Sequence, residues 1–315
     1  MNRTRLISLL VCIALIFSAA VALTSCDQEI NTNTDTTEAT TPMETEVQTE
    51  AETSAPAEKI EYTISVVSEG KLALSGVEFE VYADAEFTSL KAYGETNANG
   101  KATVKLVEGQ TYYLKMLVAP DGYKFEESYT ISGKETSITL KSYIRKEAPA
   151  ADFTYQLGDV VHDFVLFESN DNTVMLSDAL ETYGCVVLNF WYISCSPCRA
   201  EFPYIQSAYD KYSDKVGFCA LNGNAIDSES AISNFMAQNG YTFPTGKADS
   251  VLIHNFGITA FPTTIVIDRY GVICLIETGS VPEEAPFVNI FNHFSNPDYS
   301  ETTLYAAIDY VPAKG

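Results

Sequence analysis

Cys185-Val186-Val187-Leu188-Asn189-Phe190-Trp191, followed without a break by Tyr192-Ile193-Ser194 and then Cys195-Ser196-Pro197-Cys198, is the stretch on which the reading of the fold turns. The first seven residues form the kind of continuous apolar run that is buried on both faces of a sheet. The CxxC follows directly, and a helix is expected from there to about Tyr212. Val216 to Leu221 reads as the next strand, and Asp227 as the cap of a helix carrying Ile232, Phe235 and Met236 at helical spacing. Thr263 to Asp268 and Val272 to Glu277 flank Arg269-Tyr270-Gly271 as a hairpin. Strands alternating with helices from about Pro149 predict an α/β domain, a central mixed sheet flanked by helices.

The spacing carries chemistry. A thiol at a helix N-terminus faces unsatisfied backbone N–H groups and the positive end of the helix dipole, both of which stabilise the thiolate. Cys195 is thus the expected nucleophile. Cys198, one helical turn later, is the expected resolving thiol, with Ser196 and Pro197 between them helping to set the redox poise. A structural disulfide is the plainer alternative for the pair. Cys185, Cys219 and Cys274 fall in predicted core strands, where free Cys is a common small buried hydrophobe. His162, in Val161-His162-Asp163-Phe164, reads as a loop residue.

Outside this region, length and composition set bounds. The chain has 315 residues, enough for two domains with cores of their own, since 46% of it is hydrophobic. A formal charge of −23 with only 19 Lys and Arg argues against nucleic acid as a partner. Three His, at 162, 254 and 293, have no paired spacing to Cys, so no zinc site is expected and no metal is assigned.

The N-terminus reads as a targeting segment: Arg3 and Arg5 precede an apolar run from Leu6 to Ala22. Leu23-Thr24-Ser25-Cys26 then resembles the lipobox of bacterial lipoproteins, which implies a signal peptide over 1–25 and a lipid on Cys26. An uncleaved signal anchor is the alternative, and either one puts the rest of the chain outside the cytoplasm. Five Cys then remain, an odd number that speaks against a disulfide scaffold. Residues 26–58 form a tether; from Asp27 to Glu58 there are nine Thr, nine acidic residues and no basic one, a composition that cannot bury enough surface to fold.

From Ile60 to about Arg145 short β-rich runs follow one another. Ile60 to Val67 is one strand, and Val77, Phe79 and Val81 alternate with polar neighbours in the next. Asn99-Gly100 predicts a hairpin between the Tyr93 region and Thr103-Val104. Further strands are expected at Thr111–Leu117, Ser128–Ile131 and Ser137–Leu140, about seven in all, which suggests a small all-β sandwich over 59–146.

Two resemblances refine this. Leu74-Ser75-Gly76-Val77-Glu78-Phe79-Glu80-Val81, Gly94 to Lys101, Tyr112-Tyr113-Leu114 and Ala119-Pro120-Asp121-Gly122-Tyr123 resemble the prealbumin-like repeat domains of Gram-positive surface proteins and pili. The Lys and Asn of the usual isopeptide staple would fall near Ser65 and Lys141, so that staple is not expected. Such a domain serves in adhesion or substrate presentation, or as a spacer.

Leu188-Asn189-Phe190-Trp191, Cys195 to Pro203, the Leu176-Ser177-Asp178 element and Ile258 to Asp268 resemble the membrane-tethered, thioredoxin-like thiol-disulfide oxidoreductases of the TlpA/ResA-like redoxin type, over residues 155 to 295. The resemblance implies a thioredoxin fold over 147–298 and a cis bond before Pro262, exposing the Phe261 backbone to pair with an extended substrate segment beside Cys195. It implies that Glu201, on the helix face below Cys198, influences thiol protonation; a solvent-facing carboxylate is the alternative. Trp191 matches the aromatic at the strand end. Ser194 stands where a Trp is usual, which predicts a less covered thiol.

Together these readings predict an extracytoplasmic protein, lipid-anchored in a bacterial, Gram-positive envelope, that reduces protein disulfides and draws electrons from an integral-membrane thiol carrier, with no cofactor beyond its thiols. A thiol peroxidase is a second reading, although no Pro precedes Cys195 in Trp191-Tyr192-Ile193-Ser194. A non-enzymatic surface adhesin is a third. To the tail, 299–315, the sequence assigns no role; Leu304 to Ile308 has room for one or two helical turns.

Overall fold

A computed structural model describes residues 57–126, 128–131, 133–169, 172–308 and 311. The signal peptide, Cys26 and nearly all of the tether lie outside the described residues.

Eight strands build the N-terminal part: β1 (Lys59–Ser68), β2 (Glu78–Tyr82), β3 (Leu90–Glu95), β4 (Lys101–Val107), β5 (Tyr112–Val118), β6 (Tyr123–Lys124), β7 (Tyr129–Ile131) and β8 (Glu135–Ser142). They form two four-stranded sheets, ordered β4-β1-β8-β6 and β3-β2-β5-β7. Tyr62, Ile64 and Val66 of β1 and Phe79 and Val81 of β2 point between the sheets and are buried, as period-two alternation requires. The first and last long strands, β1 and β8, run parallel, with Val66 opposite Ile138.

One expectation fails here. Asn99-Gly100 does not close a hairpin, because β3 and β4 belong to different sheets. The turn carries the chain from one sheet to the other. Asn97 Oδ1 accepts from the Asn99 and Lys101 N–H groups, and Gly100, at φ +67°, packs so closely on β1 that a Cβ would press on the Val66 carbonyl. The glycine answers a close approach and a positive φ, features a crossover shares with a hairpin.

The C-terminal part opens with a hairpin, β9 (Val165–Ser169) and β10 (Asn172–Met175), and helix α1 (Leu176–Thr182). Then come β11 (Cys185–Trp191), α2 (Ser196–Tyr212), β12 (Val216–Asn222), α3 (Glu229–Asn239), β13 (Thr245–Lys247), α4 (Ser250–Asn255), β14 (Thr263–Asp268), β15 (Ile273–Thr278) and α5 (Glu284–Phe294). The sheet order is β13-β12-β11-β14-β15. β11 pairs parallel with β12 and antiparallel with β14, so the sheet is mixed.

Every residue of β11 and of β12 is buried, the signature of central strands covered on both faces. Cys185, Val187 and Trp191 face a core completed by Phe202 and Ile205 of α2 and Phe287, Ile290 and Phe291 of α5. Val186, Leu188 and Phe190 face the opposite core with Leu176 and Ala179 of α1. Asn189 falls on the α2 side by the same alternation, and that parity decides what it meets.

Ser228, not Asp227, caps α3, its hydroxyl accepting from Ala231 N–H at 3.1 Å. Asp227 turns instead toward the segment before Cys195. The tail also departs from expectation. Tyr305 bridges to Leu275 beside β15, Thr302 N–H donates to the Gly70 carbonyl of the sandwich at 2.7 Å, and Ile308 N–H donates to Glu277 at 2.8 Å. The stretch from 299 to 307 carries no helical turn and is a strap tied to both parts of the protein by hydrogen bonds.

Candidate active site

The end of β11 delivers the chain to the start of α2, and the site is built there. Cys195 is the N-cap of α2, in extended conformation, with Pro197 in the first turn where its missing N–H costs no helical bond. Cys195 and Cys198 form a disulfide, their Cα atoms 5.3 Å apart. The Cys198 N–H points at Cys195 Sγ at 3.1 Å. The capping acceptor of this helix is therefore the sulfur, the geometry that favours negative charge on it.

Both sulfur-bearing residues are covered in this disulfide form: Cys195 is 2% exposed and Cys198 is 0%. In this form the sulfurs are covered even with Ser194 in the position where the resemblance puts a Trp. Ser194 itself is exposed, while Tyr192, Ile193, Phe261 and Val281 pack against the cluster that holds the cysteines. The Tyr192 and Phe261 rings meet edge to face, their centroids 5.3 Å apart. The Phe261–Pro262 peptide is cis, and Pro262 is buried.

Glu201, one turn below Cys198, is 0% exposed, so the solvent-facing alternative is excluded. Its Oε1 accepts from Asn189 Nδ2 at 2.9 Å and its Oε2 from Val281 N–H at 3.0 Å. Asn189 Nδ2 also donates to Thr264 Oγ1 at 3.1 Å. Burial pushes the Glu201 carboxyl up to about 7, against the pull of these two hydrogen bonds. A carboxyl poised near neutrality can take or give a proton at physiological pH.

With this geometry in view, residues 156–291 match the Redoxin family and residues 61–148 the family described as Prealbumin-like fold domain. The thiol-disulfide oxidoreductase ResA of Bacillus subtilis is 33% identical over 127 residues, 40% of this chain and 69% of that protein. The chain belongs to the ResA-like thiol-disulfide oxidoreductases.

The thioredoxin-like protein YneN of the same organism is 28% identical over 172 residues, 54% of this chain and 89% of that one. A solved structure titled as a putative thiol:disulfide interchange protein DsbE from Chlorobium tepidum is 29% identical, with a TM-score of 0.36, and covers 41% of this chain and 89% of that one.

The chain is thus a thioredoxin-like oxidoreductase preceded by a prealbumin-like sandwich. In this ResA-like chain the other cysteines of the described residues stand apart from the CxxC: Cys185, Cys219 and Cys274 are free and buried, and burial raises all three thiols. Trp191 is fully buried and packs on Phe202, centroids 4.7 Å apart, and on Phe235. It supports the floor of the site and does not line its surface. Ser196 and Pro197 are exposed between the cysteines. His162 is buried away from the CxxC, its Nδ1 2.9 Å from the Tyr155 hydroxyl.

Two features of the oxidoreductase site escape sequence reasoning. Asp227 Oδ2 accepts the Ile193 N–H at 2.8 Å and Asn222 Nδ2 at 2.9 Å. Lys247 Nζ, donating to the Asn224 and Asp227 carbonyls at 2.7 Å each, pins the loop that holds Asp227. On the other side, Ser280 Oγ donates to the Pro197 carbonyl at 3.0 Å. Neither residue lies in a recognisable motif; the one available signal for Asp227 is its place in a polar loop after a buried strand.

Proposed function

We propose that this oxidoreductase works outside the cytoplasm as a reductant of protein disulfides. The observation that carries the reading is the Cys195 sulfur capping α2 and accepting the Cys198 N–H, above a buried carboxyl raised to about 7. In the reduced enzyme the Cys195 thiolate attacks a substrate disulfide, forming a mixed disulfide and expelling one substrate thiolate. Cys198 gives up its proton, with Glu201 as the nearby acceptor, and its thiolate attacks Cys195 Sγ. The second substrate thiolate leaves and the Cys195–Cys198 disulfide remains. Two electrons have then passed to the substrate, whose two thiolates regain their protons from Glu201, which holds the one from Cys198, and from solvent. The Phe261 backbone beside Pro262 lines up the substrate segment, Ser196 and Pro197 set the turn between the sulfurs, and Trp191 braces it from below.

Regeneration requires a dithiol donor, for which an integral-membrane thiol carrier is the proposed class. The domain plan that suits this role is a signal peptide over 1–25, lipid on Cys26, a tether over 26–58, a sandwich over 59–146, a redox domain over 147–298 and the tail over 299–315. No helix of the described residues is long and apolar enough to cross a membrane; the N-terminal anchor is supported by the lipobox-like Leu23-Thr24-Ser25-Cys26.

The test is equilibrium titration against glutathione and dithiothreitol buffers, with thiols read by alkylation and mass spectrometry. A two-electron transition confined to Cys195 and Cys198 near or below about −270 mV supports a reductant. A potential near about −120 mV would make the protein an oxidant, and failure to form the disulfide at any potential would end the redox reading.

A further inference from the structure

Gly279, Ser280 and Val281 leave β15 together, and each reaches a different part of the redox site. Gly279 N–H donates to the Pro262 carbonyl at 2.9 Å. Ser280 Oγ donates to the Pro197 carbonyl at 3.0 Å, and Val281 N–H donates to Glu201 Oε2 at 3.0 Å. Gly279 has φ +117°, a region in which side chains are strained. The turn it makes presents the next two residues to α2. The first and last of these bonds come from backbone and are indifferent to residue type; the middle one needs a hydroxyl.

The acceptor of that hydroxyl matters because of what lies at the other end of its peptide. The Pro197 carbonyl and the Cys198 N–H are opposite ends of one planar unit, and that N–H is the one aimed at Cys195 Sγ at 3.1 Å. Pro197 has no N–H of its own, so its carbonyl is its one polar backbone group. A carbonyl has two lone pairs, and the helical bond expected from the Glu201 N–H uses one. Ser280 takes a second acceptor direction and holds the plane from outside the helix. Hydrogen bonding at the carbonyl end also polarises the amide and strengthens donation from its N–H end.

We propose that Ser280 is a positioning residue for Cys195, acting through the Pro197–Cys198 peptide: by holding the carbonyl end it aims the N–H end at the Cys195 sulfur and favours its thiolate. This rests on the reading of Cys195 and Cys198 as an exchanging dithiol. It adds a residue outside the CxxC, the cis-Pro and the Glu201 positions, on a loop that no motif marks. Glu201 shares the same three-residue segment, through Val281, so the carboxyl and the thiolate-stabilising amide are set by one piece of chain.

The experiment compares Ser280→Ala, Ser280→Val and Ser280→Thr in the full-length protein, with Val and Thr alike in shape and different in the hydroxyl. Three quantities are read: the rate of Cys195 alkylation by iodoacetamide from pH 5 to 9, the Cys195–Cys198 potential, and the melting temperature. Ala and Val are expected to slow alkylation near pH 6 by roughly three- to tenfold and move its rise upward by about half to one pH unit. The couple should become more reducing by the same factor, a tenfold change being about 30 mV. Thr should match the native protein in both. The proposal is overturned if Ala and Val alkylate like the native protein, whatever their melting temperatures. It is overturned equally if Thr behaves as Val does, or if the variants without a hydroxyl fail to fold while Thr folds, since the role is then shape or stability. A native protein with no reversible Cys195–Cys198 couple would instead remove the functional reading itself.

Discussion

The Asp227 carboxylate accepts the backbone N–H of Ile193 at 2.8 Å across 34 residues of sequence, and so fixes the chain two residues before Cys195. Gly223 N–H donates to the Trp191 carbonyl at 2.9 Å on the same loop. The approach to the CxxC is therefore held by the β12–α3 connection. Asp227→Ala removes the acceptor of a part-buried N–H and also frees Asn222 Nδ2, a loss of about 1–3 kcal/mol. With the loop released, disulfide exchange with a chromogenic aromatic disulfide is expected to slow roughly tenfold. Asp227→Asn, which keeps one acceptor oxygen, should lose less on both counts. Stopped-flow exchange and urea denaturation of the two variants check this; equal behaviour of Ala and native protein would show that the loop needs no such hold.

Glu201 makes stability depend on pH in a stated direction. Its carboxyl titrates near 4.5 when unfolded and at about 7 when folded. A raised carboxyl favours the folded state most when protonated, so its contribution is complete below about pH 4.5 and is lost as pH rises through 7. The difference corresponds to about 3 kcal/mol at most. Glu201→Gln, which cannot ionise, is therefore expected to be more stable than the native protein at pH 8, with the gap closing below pH 5. It should also flatten any inflection near pH 7 in the rate at which Cys198 resolves a mixed disulfide. Urea midpoints across pH 4.5–8.5 give the first readout. A native protein whose stability does not fall relative to the variant above pH 7 would place the charged carboxylate at no disadvantage in its site.

What the sequence makes legible follows from the range of the forces involved. The seven apolar residues of β11 announce themselves because a strand covered on both faces must be apolar at every position, and the CxxC is legible because helix capping and thiol pairing act within four residues. Glu201 is readable as a helix position, while its burial depends on Asn189 and Val281, 12 and 80 residues away. Asp227 reads as a helix cap because an Asp before a helical run usually is one; Ser228 takes that role and frees Asp227 for Ile193. Ser280 carries no signal at all, since one hydroxyl in a loop has no period and its acceptor lies 83 residues earlier. Asn99-Gly100 shows the reverse case, in which a local signal is right about the positive φ of Gly100 and wrong about the partner strand.

Asp268 ties the tail to the redox domain. It is fully buried at the end of β14, and burial raises its carboxyl. Oδ1 accepts from the Tyr270 and Val272 N–H groups at 2.9 and 3.0 Å, and Oδ2 from Thr302 Oγ1 at 2.8 Å and Tyr299 OH at 3.4 Å. Asp268→Ala orphans four donors, and a loss of about 3 kcal/mol is expected, among the larger effects of a single substitution. Thr302→Val, which removes one of the four, should lose about 1 kcal/mol. Limited proteolysis after residue 298 should accelerate in both, more in the Asp268 variant. Unchanged protease resistance would mean that the tail is held by Ile308 and Tyr305 instead.

The sandwich and the redox domain share part of a core, which bears on whether the first is only a spacer. Val160 and Val272, which pair across an isolated bridge, are buried in the cluster formed by the sandwich side chains, with Tyr270 packed against it. Gly122, at φ +82°, lies so close that a Cβ would run into Val160. Arg145 donates to Asp121 at 2.9 Å while its carbonyl accepts from Asp163 N–H at 2.7 Å. A redox domain cut off at residue 147 would expose Val160 and Val272, each worth about 1.5–3 kcal/mol when buried. It is therefore expected to unfold at lower urea concentration than the full chain, while keeping disulfide exchange under conditions where it is folded. Gly122→Ala, which strains a positive φ and presses on Val160, should lower the stability of the intact protein without touching the CxxC. A truncated domain as stable as the redox part of the full chain would mean that the shared cluster contributes little, and the sandwich could then be read as a detachable spacer.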